Sequence, residues 1–313
     1  MKRKDIQLIS RHSNLSESGV KTALEKHIYF DNTAWKKFLQ LLFITLGAGF
    51  SVAGVVFFFA YNWADLHKFA KLGFIQGLLI VMMAIVLFSK VSLSIKNILL
   101  TATAVLVGVL FAVFGQIYQT GANAYDWFLG WTAAITLWVI ISKYAPMWLL
   151  YMILLNTTLV LYAEQVAFNW SDIFIFTLLF GLNLLALLVA LGLDFYLKKI
   201  EVPNWFIYTV ALAAVTFATI GLSIAIVDKK MSEAIILIVV SLATYAGGLF
   251  YGYQQRKIFY LSIIPFSVII LFAVFIIRLS GDAGSFFLIT LFIVGSVTLL
   301  IRGLLSLQKM WKN

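Results

Sequence analysis

The chain has 313 residues, 63% hydrophobic and only 12% charged, with a mean hydropathy of +1.00; soluble domains have about 45–50% apolar and about 25% charged residues. It contains no cysteine and three scattered histidines, His12, His27 and His67, which excludes disulfide frameworks, thiolate metal sites and cysteine nucleophiles, and points to neither a metal centre nor a cofactor. The formal net charge is +10, but the basic residues sit beside apolar segments, where they orient membrane helices instead of binding nucleic acid.

The first 37 residues form the one sizeable polar segment, expected to be cytoplasmic. In LSESGVKTALEKHIYF (15–30) a helix-start signal at Ser16 precedes Val20, Leu24 and Ile28 at helical spacing, which predicts a short amphipathic helix lying against the membrane or the bundle. No apolar run precedes Phe38 and no small-residue cleavage site is evident, so a cleaved signal peptide is not expected.

From Phe38 the sequence alternates apolar runs with short polar breaks, and about 20 apolar residues suffice to cross a bilayer core. Ten runs are legible: 38–61, 69–89, 97–118, 125–142, 146–163, 172–196, 205–227, 233–253, 258–278 and 284–305. The fourth and fifth are short, and only Lys143, Tyr144 and Ala145 separate them before Pro146, which suits a helix's first turn. The fold expected is an all-α polytopic membrane bundle over 38–305, with a cytoplasmic tail at 306–313.

Charge segregation supports an even number of spans. Of the 23 basic residues, only Lys68, Lys71, Lys229, Lys230 and Arg278 fall on the side opposite the N-terminus. By the positive-inside rule both termini are then cytoplasmic.

Within the runs, Gly47 with Ser51, Gly49 with Ala53, and Gly248 with Gly252 are spaced for close helix packing. Asn156 and Asn183 fall inside neighbouring antiparallel runs, a pattern that predicts an interhelical hydrogen bond. No ionisable residue clearly occupies mid-membrane, which disfavours a proton-coupled carrier. Asp194 lies one turn before Lys198 and is expected to form a solvated pair.

Polar and aromatic chemistry is concentrated in three stretches: FFFAYNWADL (57–66), GQIYQTGANAYDW (115–127) and AFNWSDI (167–173). The assigned topology puts all three on the outer face. A substrate-binding rim is predicted from Asn62, Trp63, Asp65, Gln116, Gln119, Asn123, Asp126, Trp127, Asn169 and Trp170. Aromatic faces beside amides and carboxylates suit a sugar or lipid head group, although such residues also populate interfaces and turns generally. Gln116 and Gln119, near the end of an apolar run, are expected to need specific partners, and their segment is read as a re-entrant or capping turn. Asp65, Asp126, Glu164 and Asp172 offer a weak paired-carboxylate alternative. AYNWADL and AFNWSDI also suggest a parallel repeat of four helices, or a chance echo of a turn.

The WKKFL start at Trp35, the glycine-rich run into FFFAYNW and above all GQIYQTGANAYDWFLGW resemble the hallmark segments of a family of bacterial predicted membrane proteins known only as a domain of unknown function. The resemblance spans roughly residues 15–160. It implies a multi-pass protein of the bacterial inner membrane and assigns no catalytic residues.

Two functions follow. One is transport or handling of a polar or lipid-linked, sugar-like molecule through an outward-facing pocket, with a wet cavity from Gln116 towards Asn156. The alternative is a membrane scaffold or envelope assembly factor that contacts other envelope proteins, with a dry bundle. A membrane-embedded hydrolase or transferase ranks third, since no nucleophile–base–orienter set stands out.

Overall fold

The computed structural model describes residues 6, 9–10, 12–13, 16–27, 32–61, 64, 66–119, 121–196, 202–279 and 283–311. The helices among them are α1 (Glu17–His27), α2 (Asn32–Tyr61), α3 (Lys68–Phe88), α4 (Leu93–Tyr118), α5 (Ala124–Ser142), α6 (Ala145–Gln165), α7 (Asp172–Tyr196), α8 (Asn204–Val227), α9 (Ile235–Gln254), α10 (Ile258–Leu279) and α11 (Ala283–Met310). Ten helices, α2 to α11, are long and apolar enough to cross a membrane, and no strand occurs among the described residues.

Local chemistry explains several boundaries. The Ser16 hydroxyl accepts from the Gly19 N–H at 3.2 Å and caps α1, and Glu17 in the first turn complements the helix dipole. Lys143 takes a left-handed φ of 46° and stops α5, while Pro146 sits in the first turn of α6. The two shortest runs are therefore separate helices. Two others outlast their apolar runs: α2 begins at Asn32, and α11 continues to Met310.

The chain divides into two compact units, Met1–Gln119 and Thr120–Asn313. In the first, α4 packs against both α2 and α3. Its core is Phe59 from α2, Leu72 and Ile75 from α3, and Leu106 and Val113 from α4. Gly47 and Gly49 meet no atom of their own unit within 4 Å of where a Cβ would stand, so the close packing expected at these two positions is not found within it.

In the second unit α8 is the central helix, packed by α7 and α10 and touched by α6 and α9. Its buried face repeats every three or four residues: Ile207, Ala211, Ala214, Ala218, Gly221 and Ala225. Small side chains let neighbouring helices approach closely where lipid supplies no hydrophobic drive. At Gly221 an added Cβ would stand 2.7 Å from Leu237 Cδ2 of α9 and 2.9 Å from Phe176 Cβ of α7. Gly248 behaves as its spacing predicts, with a virtual Cβ 2.6 Å from Ile264 Cδ1, and Gly252 lies close to Tyr260 and Leu261.

Polar ties cross the same unit. Asn183 Nδ2 donates to Asn156 Oδ1 at 2.7 Å, the predicted bond between α6 and α7. The Ser267 hydroxyl of α10 lies 2.6 Å from Thr219 Oγ1 of α8 and 2.7 Å from Tyr245 OH of α9. Uncharged groups thus link buried helices without the desolvation cost of an ion.

Candidate functional site

The predicted site residues fall in both units, and each set is described within its own. In the first unit the decisive segment is the end of α4. Gln119 closes the helix in the left-handed region at φ 41°, its N–H donating to Gly115 O at 3.0 Å. Gly121 follows at φ 71°, a conformation that glycine adopts without steric cost. Gln119 is thus the left-handed cap that ends α4.

Gln116 and Gln119 are both exposed. They border a cavity of about 790 Å³ whose walls are Val56, Phe59 and Ala60 of α2 with Val109, Ala112 and Val113 of α4. The Gln116 amide borders a space large enough for water or a ligand, either of which can pair with it. Val109, Val113 and Gln116 recur at helical spacing, which brings them to one face of α4. Apolar walls ending in two neutral amides can bury a hydrocarbon surface and bond hydroxyl groups; they offer no charge to an ion.

The second unit gathers another group. Asn123 and Asp126 close a capping box at the start of α5, with the Asn123 N–H donating to Asp126 Oδ2 at 3.0 Å. Asp126 thus acts as a helix cap. The adjacent Tyr125 N–H donates to Gln165 Oε1 at 3.0 Å, tying the start of α5 to the end of α6. Aromatic rings continue the link: Tyr125 to Tyr162 at 5.2 Å, Tyr162 to Trp170 at 5.5 Å and Trp170 to Phe174 at 5.1 Å between centroids. Such pairs contribute about 0.5–1.5 kcal/mol beyond area burial. Trp170 is therefore half-buried within an aromatic stack, while Asn169 is exposed in the turn before α7 and Trp127 is half-buried on α5.

Asn62, Trp63 and Asp65 lie outside the described residues, as do the side chain of Asp194 and Lys198. The second copy of the duplicated motif is a turn that starts α7, where Ser171 Oγ accepts from the Phe174 N–H at 3.3 Å. Of the acidic quartet, Asp126 is a cap, Asp172 lies in the first turn of α7, and Glu164 is exposed on α6. Among the described residues no cluster of three or more His, Asp or Glu is arranged to hold a metal ion. Asn156 is engaged with Asn183 in the second unit, so its amide is not an open cavity lining. Sequence reasoning missed Gln165 and Tyr125 as a bonded pair; only their placement next to predicted helix ends hinted at it.

Residues 14–148 match the model of the family described as predicted membrane protein (DUF2157). The match takes in α1 to α5 and the start of α6, and hence both glutamines and the capping box. It covers less than half of the chain, from the region that carried the resemblance. No curated protein and no solved structure matches. With ten long apolar helices, the chain is a multi-pass membrane protein.

Proposed function

We propose that this protein handles a neutral, hydroxyl-bearing amphipathic molecule, such as a lipid-linked sugar, at the cavity between α2 and α4, in the bacterial inner membrane with both termini cytoplasmic. The observation that carries this reading is the pairing of an apolar 790 Å³ space with Gln116 and Gln119 at one end. Hydrocarbon fits the Val and Phe walls, and the amides supply both donors and acceptors to hydroxyls. The charge segregation of the loops, by the positive-inside rule, supports an outward-facing position for this end of α2 and α4. The aromatic group around Trp170 is a structural tie in this reading, not a second substrate contact.

The absence of cysteine makes the test direct. Single Gln116→Cys and Gln119→Cys variants in intact cells should react with a membrane-impermeant thiol reagent, while Asn156→Cys should not. If Gln116→Cys resists the reagent even in opened membranes, the cavity is dry and the scaffold reading replaces this one. If it reacts only in opened membranes, the topology is inverted.

A further inference from the structure

A second cavity, of about 420 Å³, lies wholly within the second unit. Its walls come from α7 (Leu184, Leu187, Leu191), α8 (Ala211, Ala214, Val215), α9 (Ala243 to Tyr251) and α10 (Tyr260, Ile263, Ile264). The lining is mostly aliphatic, with the rings of Tyr245, Tyr251 and Tyr260. Gly247 helps to keep it open, for nothing lies within 4 Å of where its Cβ would stand. Along α9 it extends from Ala243 to Tyr251, about 12 Å at 1.5 Å per residue, towards the end of the unit where the α9–α10 turn carries Arg256 and Lys257.

Two polar features sit at that end. Tyr260 is 4% exposed, and its hydroxyl, buried from the cleft, has no hydrogen-bond partner among the described residues. Its ring contacts Tyr251 at 5.5 Å between centroids. Lys257, half-buried, donates from Nζ to Tyr251 OH at 3.2 Å, and no carboxylate among the described residues pairs with it. Arg256 is held differently, donating to Trp311 O at 3.3 Å. A hydrocarbon slot thus ends beside an ammonium with no carboxylate partner among the described residues.

We propose that this cleft binds one acyl chain of an anionic phospholipid, with the lipid phosphate on Lys257. The apolar walls select a chain, and the ammonium selects a negative head group over a zwitterionic one. This site is separate from the α2–α4 cavity and does not depend on its assignment.

The test is native mass spectrometry of the full-length protein purified with equal amounts of dioleoyl phosphatidylglycerol and dioleoyl phosphatidylcholine. The phosphatidylglycerol adduct should predominate at least tenfold. Gly247→Leu, which fills the cleft, and Lys257→Gln, which removes the charge at its mouth, should each abolish that preference. Added glycerol phosphate should not displace the lipid; displacement would show a free-phosphate site instead. Equal retention of the two lipids by the wild type, or an undiminished preference in Lys257→Gln, would overturn the proposal even if Gly247→Leu failed to fold.

Discussion

Asn156 and Asn183 face each other with their amides engaged on both sides: Asn183 Nδ2 donates to Asn156 Oδ1 at 2.7 Å and Asn156 Nδ2 lies 3.4 Å from Asn183 Oδ1. Each amide also donates to the carbonyl four residues earlier, Asn156 to Met152 and Asn183 to Leu179. The pair is self-contained, which explains how two amides survive between α6 and α7 with Asn183 only 2% exposed. Replacing either with Leu should destabilise the protein by about 0.6 kcal/mol, and by no more than about 1.7, the span measured for such bonds in membrane helices. In a double-mutant cycle followed by unfolding in mixed micelles, the double variant should lose less than the sum of the singles. Strict additivity would mean that the interhelical bond contributes nothing.

Glycines on α8 and α2 should respond in opposite ways. Gly221→Ala places a methyl group 2.7 Å from Leu237 and 2.9 Å from Phe176 Cβ, and overpacking of this kind costs about 1–3 kcal/mol. Gly47→Ala meets no neighbour, so it should not lower the melting temperature and gains helix propensity. Equal effects at the two positions would contradict the central placement of α8.

Gln119 combines two requirements that separate variants can divide. Its left-handed backbone, φ 41°, penalises any residue with a Cβ by roughly 1–2 kcal/mol relative to glycine. Gln119→Gly should therefore be more stable than Gln119→Leu by about 1 kcal/mol and melt higher, although both lose the amide. If the two melt alike, the turn does not hold this conformation.

Asp126 tests cap against chemistry. Asp126→Ala should destabilise the start of α5 by about 1 kcal/mol, whereas Asp126→Asn keeps an acceptor oxygen for the Asn123 N–H and should retain most of that stability. Complementation of a deletion strain by Asp126→Asn supports the capping role. Failure of that variant to complement, with its melting temperature unchanged, would give the negative charge a direct part in function.

How much of this was legible depended on how local each property is. The ten apolar runs became ten helices because spanning length and hydropathy belong to consecutive residues and need no knowledge of neighbours. The Asn156–Asn183 bond was readable for a related reason: an amide deep in an apolar helix has few possible partners, and the adjoining antiparallel helix offered one. The α2–α4 cavity was not readable, since Val56 and Val109 are ordinary apolar residues whose meeting is decided by tertiary packing. The space beside Gln116 was not readable on the same account. Gly47 and Gly248 carry the same small-residue spacing, yet only Gly248 has a side chain, Ile264, pressed against it within its unit. The capping box of Asp126 was not distinguishable in the sequence from a ligand contact, because the two share residue types.

The burial of α8 also bears on the order of assembly during synthesis. This helix leaves the ribosome before α9 and α10, the helices that cover much of it, and its Ala211–Ala214–Ala218 face carries no polar side chain that lipid would reject. Phe176 of α7 can enter the notch at Gly221 as soon as the α7–α8 hairpin forms, leaving Leu237 to complete it later. Nascent α8 therefore carries no charged group that needs shielding in the membrane, and the hydroxyl link from Thr219 through Ser267 to Tyr245 closes only when the α9–α10 hairpin arrives.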